Sequence, residues 1–370
     1  MKPNIILILL DGARHDRLEI SQEFIELQKY GTTFNNVTAT VPYTFSAMNV
    51  LFTGLYPKEN GVNGYYKMFK LKKTVDFLPE ILSKNGYYTY FDTISSKTIS
   101  SRGFEESEFL NEYEDDLEVR HTSAIQNCLK KANGKPIFCF FQFTNIHTAT
   151  VSEILKKYEW NDRKFYERKE ENLEIYDTAF KKTGIYAKKI FDFIKELEKL
   201  DDTIIIFFAD HGTGIGERFG ERTYGIFTFE ETIRTFYLFM GGKIKENRIS
   251  ENLLSSIDIF PTILGLCGIE NDRNTPGKNL APTLLDDTVQ VPEHEFTFSE
   301  TGGLQGPFPS PNKHNVFCVK NKNYKLIYYK DKEEKLLYDL LSDSSETKNL
   351  YGTELEIQRV LEEKLSDYMK

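Results

Sequence analysis

The sequence predicts an α/β fold: a mostly parallel central sheet flanked by helices, with a small C-terminal α+β subdomain that carries a short antiparallel sheet. Three observations predict it. Three apolar runs lack alternation, and each ends on polar residues able to bind a ligand. Amphipathic helical segments lie between those runs. Near the end of the chain, short β-rich runs surround a tight turn.

The first run is Asn4 to Leu10, ending at Asp11-Gly12. The second is Pro136 to Phe143, followed by Thr144-Asn145-Ile146-His147. The third is Thr203 to Ala209, followed by Asp210-His211-Gly212. A strand that is apolar on both faces belongs inside a parallel sheet covered by helices. Ligands of such sheets bind beyond the carboxyl ends of the strands, so three strand ends point to one site.

The helical segments come next. Val75 to Lys84 puts Phe77, Leu78, Ile81 and Leu82 on one face, and Asn85-Gly86 supplies a stop. Ile175 to Leu200 carries Tyr186, Ile190, Phe193, Ile194 and Leu197 at helical spacing and leads into the third run, as a crossover helix does. Ser255 to Cys267 reads as another helix, with Pro261 near its start or at a kink. Composition shifts at Asn271 to Pro282, and Thr301 to Asn315 is a Gly- and Pro-rich loop. Val316 to Lys320 and Tyr324 to Tyr329 then read as antiparallel strands around Asn321-Lys322-Asn323, with Leu336 to Leu340 as a further candidate. Glu354 to Met369 is an amphipathic helix. The expected division is residues 1–287 for the catalytic domain and 288–370 for the subdomain packed on it.

Composition narrows the function classes. A net charge of −9 on 370 residues argues against a nucleic-acid partner, which needs a basic face. The longest apolar run at the N-terminus, Ile5 to Leu10, is too short for a membrane span or a signal-peptide core, so the expected location is the cytoplasm. Cys128, Cys139, Cys267 and Cys318 form no CxxC pair and read as buried free thiols.

Chemistry concentrates at few residues. Asp11 is a metal ligand or a helix cap. Asp210-His211 offers an oxygen and a nitrogen at one strand end, a donor set for zinc, manganese or iron, or else a structural turn. Thr44 precedes the helix-like Met48 to Phe52, where a hydroxyl is an N-cap or, beside a cation, a nucleophile.

These residues sit in a larger pattern. Pro3 to Gly12, Thr44 to Pro57, Leu78 to Thr89, Arg102-Gly103-Phe104, Ala209 to Gly212, Ile257 to Thr262 and Leu336 to Leu350 resemble, in that order, motifs of the sulfatase branch of the alkaline phosphatase superfamily. The resemblance implies the alkaline phosphatase-like fold and one divalent metal ion (Mn, Zn, Ca or Mg), held by Asp11, Thr44, Asp210 and His211. It also shows departures. Sulfatases place a Cys or Ser, convertible to formylglycine, where this chain has Thr44, and threonine cannot be so converted. Ser46 and Met48 replace the Pro and Arg after the nucleophile. Thr93-Ile94 and Tyr224 stand where lysines are expected. No histidine lies between His147 and His211, so the second metal set of two-metal relatives is missing.

A threonine nucleophile is typical of relatives that act on phosphorus. The expectation is therefore a hydrolase or transferase of phosphate mono- or diesters, or of phosphonate esters, through a covalent phospho-threonine at Thr44. The substrate would be a small molecule or be linked to a glycan. His147 is the candidate to contact the phosphoryl group or protonate the leaving group. Arg14, Asn60 and His314 are weaker candidates for substrate binding. The alternatives are a catalytically inactive relative that binds an anionic glycan or partner, and a sulfuric ester hydrolase. Specificity is expected in Tyr65 to Lys73, Thr148 to Leu173 and Thr301 to Asn315.

Overall fold

A computed structural model describes residues 2–150, 159–271, 273, 275–353 and 356–370. Part of the Thr148–Leu173 segment, residues 151–158, thus lies outside the described residues, as does the start of the expected C-terminal helix at residues 354–355.

Nine strands form the main sheet: β1 (Asn4–Leu10), β2 (Gly31–Thr38), β3 (Tyr88–Thr93), β4 (Glu106–Phe109), β5 (Ile137–Phe143), β6 (Thr203–Phe208), β7 (Arg234–Gly241), β8 (Arg248–Ser250) and β9 (Leu254–Ser255). Their order is β4-β3-β5-β1-β6-β7-β2-β8, with β9 also pairing β2. The stretch from β4 to β6 is parallel, whereas β7 runs antiparallel to both β6 and β2. The three apolar runs of the sequence are the central neighbours β5, β1 and β6. Register aligns their ends, Leu10 with Phe143 and Leu9 with Phe208, so the residues that follow share one edge of the sheet.

Helices cover both faces, which is why the central strands are apolar throughout. Ile6, Ile8 and Leu10 pack with Phe180, Ile190 and Ile194 of the long crossover helix. Ile5, Leu7 and Leu9 point the other way, toward Met48, Phe52 and Phe260. All four cysteines are buried and free, and no helix is long and apolar enough to cross a membrane among the described residues.

Several expected boundaries move for local reasons. The crossover helix spans Lys169–Glu196, because Glu198 adopts a φ of 55° and ends it early. The Val75 helix begins at Leu78, with Pro79 in its first turn. The Ser255 segment splits into a 3₁₀ turn, Ser256–Asp258, and a helix, Ile259–Leu266, whose first turn accommodates Pro261.

A second, antiparallel sheet has the order β10 (Thr297–Thr301), β11 (Val316–Lys320), β12 (Tyr324–Tyr329), β13 (Glu334–Asp339). Leu361 and Leu365 of the last helix, Glu356–Met369, pack on Phe317, Val319 and Leu326 of this sheet.

Candidate active site

Asp11 leaves the end of β1, and its backbone N–H donates to Phe143 O of β5 at 3.1 Å. Asp210 and His211 follow β6. Two glycines permit the close approach. Gly12 has a φ of 76°, and a Cβ there would stand 2.8 Å from Thr213 Oγ1. A Cβ on Gly212 would lie 2.2 Å from Glu231 O, closer than atoms can pack.

Each side chain is fixed by one atom and offers another. Gln142 Nε2 donates to Asp11 Oδ2 at 2.7 Å, while Asp11 Oδ1 is buried with no hydrogen-bond partner. The amides of His211 and Gly12 reach Asp210 Oδ1 at 3.0 and 3.4 Å, while Asp210 Oδ2 is buried without one. His211 Nδ1 donates to Gly212 O at 2.7 Å, which assigns its proton to that nitrogen and turns the Nε2 lone pair inward. Nε2 then lies 3.4 Å from Asp210 Oδ2, 3.9 Å from Asp11 Oδ1 and 3.3 Å from Thr44 Oγ1. Burial and then the neighbouring Asp210 charge push the Asp11 carboxyl above its usual range. Burial likewise pushes Asp210 up, to about 6. Two buried carboxylates aiming unpartnered oxygens at one imidazole nitrogen are short of positive charge, and a divalent cation fits that donor set.

Thr44 is the first residue of the helix Thr44–Thr53, and Tyr43, in extended conformation, occupies the cap position. The hydroxyl is therefore not spent on capping, the alternative its sequence context allowed. It faces His211 at 3.3 Å, at the helix end whose first-turn N–H groups lack intrahelical partners. Asp11, Thr44, Gln142, His147, Tyr65 and Tyr224 line a cleft of about 250 Å³. His147 sits on a short helix, Asn145–Ala149, directly after β5. Its Nδ1 lies 3.0 Å from Glu112 Oε2.

Three expected substrate residues go elsewhere. Arg14 pairs with Asp16 at 2.9 Å and Glu217 at 2.6 Å and lines a separate cavity of about 570 Å³. That larger cavity is walled by paired charges and does not include Thr44. Asn60 is fully buried and braces its own turn, donating to Leu55 O and accepting from Val62 N. His314 lies behind the cleft, where Nε2 meets the Tyr43 hydroxyl and Nδ1 is 3.4 Å from Glu300.

Other cleft residues escaped the sequence reading. Gln142 carried a signal, as the only polar residue in an otherwise apolar run. Tyr224, whose ring centroid lies 4.2 Å from that of His211, was marked only by the lysine it replaces. Glu112, which stands behind His147 rather than in the cleft, carried no local signal.

Comparison with known proteins identifies the family. A sulfatase family model matches residues 3–269, and the model for the C-terminal part of N-sulphoglucosamine sulphohydrolase matches residues 223–370. The chain is 23% identical to a Delta 4,5-hexuronate-2-O-sulfatase of Bacteroides thetaiotaomicron, over 94% of this chain and 84% of that protein. It is 20% identical to the extracellular sulfatase SULF-1 homolog of Drosophila melanogaster over 94% of its own length, and spans only 37% of that longer protein. A solved 2-O GAG sulfatase superposes with a TM-score of 0.83 at 20% identity, covering 100% of this chain and 92% of the other. A phosphonate monoester hydrolase from Silicibacter pomeroyi does so with a TM-score of 0.78 at 15% identity, covering 100% and 94%. The motifs, the fold and the family match converge: this chain belongs to the sulfatase family.

Proposed function

We propose that this chain is a metal-dependent hydrolase of anionic esters working through Thr44, and that a sulfuric ester, on a small molecule or a glycan, is the substrate class best supported. The observation that carries the reading is the convergence of Thr44 Oγ1 with Asp11, Asp210 and His211 at one cleft of a sulfatase-family chain. The curated relatives reported above are sulfatases, which moves the weight from the phosphoric esters expected from Thr44 alone toward sulfuric ones.

The residues divide the work. Thr44 Oγ attacks the sulfur or phosphorus, the bond to the leaving oxygen breaks, and that oxygen takes a proton. Water then cleaves the ester left on Thr44. The N–H groups at the start of the Thr44–Thr53 helix face the charge on the non-bridging oxygens. Gln142 and the Gly12 and His211 amides hold the two aspartates so that their remaining oxygens face His211 Nε2. Held by Asp11, Asp210 and His211, a divalent cation would acidify the Thr44 hydroxyl and draw charge from the ester oxygens.

One observation favours a second reading, with phosphorus at the centre: the nucleophile position itself is a threonine. It cannot supply the formylglycine of sulfatases, so release of its ester falls to water or an acceptor alcohol, a route suited to phospho-threonine. The phosphonate monoester hydrolase that shares this fold is compatible with it.

Assay of the purified chain with Mn, Zn, Mg or Ca on aryl sulfates, aryl phosphonates, aryl phosphodiesters and aryl phosphates decides between them. The first reading expects aryl sulfate turnover that disappears in Thr44→Ala. Turnover confined to phosphorus esters overturns it in favour of the second. No turnover anywhere, with Thr44→Ala indistinguishable from the parent, leaves a protein that binds an anionic glycan or partner.

A further inference from the structure

We propose that Glu112 is a positioning residue for His147, holding it as the proton donor to the leaving oxygen, and thereby sets which esters the enzyme can open. This rests on the hydrolase reading above.

The geometry is specific. Glu112 Oε2 lies 3.0 Å from His147 Nδ1 and 2.8 Å from Thr148 Oγ1. Both members of the pair are largely buried, with 15% of the His147 side chain and 16% of Glu112 exposed. Glu112 comes from the turn that joins β4 to the helix Leu117–Lys131. That turn is knitted to itself: Asp115 Oδ2 accepts from Asn111 N at 2.8 Å, and Asn111 Oδ1 accepts from Tyr113 N at 3.1 Å. The carboxylate is thus presented by a fixed loop. His147 is fixed from its own side, since Thr148 N closes the helix turn onto Thr144 O at 2.7 Å.

The pair lies across the wall of the cleft. On one side is Glu112; on the other, His147 lines the cleft with Thr44 and Asp11. The Tyr224 ring centroid stands 6.5 Å from the imidazole. With Nδ1 turned to Glu112, the opposite edge of the ring, bearing Nε2, is the edge presented to the cleft. Among the described residues the ionisable groups that face His147 or share its cleft are Glu112, Asp11, Lys97 and the Tyr43, Tyr65 and Tyr224 phenols. Asp115 and Asp116 belong to the Glu112 turn, and Lys182 of the crossover helix lines the groove beyond it.

A carboxylate at Nδ1 does two things to an imidazole. It fixes the ring orientation, and it favours the protonated form. Burial works against the Glu112 charge, yet the His147 hydrogen bond and charge hold that carboxyl below its usual range. In the displacement, Thr44 attacks as the alkoxide to which it returns when water cleaves its ester, and the electron pair of the breaking ester bond goes to the leaving oxygen, which takes the Nε2 proton. His147 becomes neutral while Nδ1–H still donates to Glu112, and it recovers a proton from the water that later cleaves the Thr44 ester. A nitrophenolate leaves without help, whereas an alkoxide such as a sugar oxygen does not. The pair therefore matters most for natural alcohols.

The test is a leaving-group series of one acid, from 4-nitrophenyl through phenyl to alkyl esters, read in Glu112→Gln, Glu112→Asp, His147→Gln and the Glu112→Gln/His147→Gln double variant. Glu112→Gln is expected to lower kcat/KM about 10- to 100-fold on the phenyl and alkyl esters and far less on the nitrophenyl ester. The alkaline limb of its pH profile is expected to move to lower pH. Glu112→Asp recovers part of the loss, and the double variant is no slower than His147→Gln alone. Equal losses on every leaving group, or an unchanged profile, overturn the role of Glu112 while leaving the hydrolase reading intact. A parent chain inactive on the whole series takes both down.

Discussion

Two groups of buried charges in this molecule are built on opposite plans. Where β7 meets the C-terminal sheet, Glu230, Lys320, Lys325 and Glu346 neutralise one another. Lys320 Nζ lies 2.8 Å from Glu230, and Lys325 Nζ lies 3.0 Å from Glu230 and 2.5 Å from Glu346. Glu346 also accepts the backbone N–H of Glu230 at 2.7 Å, and its φ of 53° shows that the chain tolerates strain to place it. At the ends of β1 and β6 the plan is different. Asp11 and Asp210 are as deeply buried, but no lysine or arginine is paired with them among the described residues, and each keeps an unpartnered oxygen. Buried charge costs stability unless it is matched. The first group is complete within the chain. The second keeps donor oxygens that a cation would take, and that difference, rather than burial or charge alone, separates a joint from a candidate site.

The comparison breaks most visibly at Thr44. Thr44→Ala is expected to lower kcat/KM by at least about 10³-fold, because the proposed nucleophile is lost. Stability should change by less than about 0.5 kcal/mol, because the partly buried hydroxyl caps nothing. Steady-state kinetics and urea unfolding on one preparation check both halves. A large stability loss would mean that Thr44 is structural after all.

The reverse is expected at the joint. Lys325→Met leaves Glu230 and Glu346 underpaired in a buried setting and should cost about 3–5 kcal/mol of stability. Activity per folded molecule on a small aryl ester should persist, since none of the four residues lines the Thr44 cleft. Loss of activity without loss of stability would tie the joint to the site.

Cation dependence sharpens the contrast. A divalent ion present at about 100 times its dissociation constant should stabilise the parent chain by about 2.7 kcal/mol. Asp11→Asn should lose most of that gain, whereas a joint variant should keep it. Melting curves with and without the ion report this directly, and an equal gain in Asp11→Asn would place the ion elsewhere.

The two plans also differ in how far the sequence revealed them. β1, β5 and β6 were readable because a strand covered on both faces must be apolar on both faces. β2 was not, because its Thr and Asn residues hide polar groups that only distant partners satisfy. Thr32 Oγ1 donates to Lys245 O, and the Thr38 hydroxyl meets that of Thr297. Asp11, Asp210, His211, Thr44 and His147 were legible because strand ends and a helix start dictate where they lie. Arg14, Asn60 and His314 turn to partners outside the Thr44 cleft lining or behind it, because proximity in sequence to a ligand or a motif does not say which way a side chain turns. Glu112 and the joint residues had no local signature at all, since each acquires its partner only when distant segments meet.

The smallest expected effect concerns acid. Burial opposes the Glu230 charge, but Lys320 and Lys325 hold its carboxyl far below the usual range. Its folded pKa is thus depressed, so its contribution is fully present above the unfolded value of about 4.3 and is lost as pH falls below it. Replacing Glu230→Gln together with Lys320→Met removes one charge of each sign and keeps the Lys325–Glu346 pair. Between about pH 4.3 and 3 the double variant should lose stability less steeply than the parent, by up to about 1.4 kcal/mol per pH unit, the limit for one proton. Urea unfolding at steps of pH measures the slope. The cation site supplies the control, because in metal-free protein burial raises Asp11 and Asp210, so neither holds an acid-sensitive contribution of this sign. Parallel slopes in the double variant and the parent would mean that Glu230 is not the carboxylate through which the joint fails, and would leave the acid response to other depressed carboxyls such as Asp16, held down by Arg14 against the effect of burial.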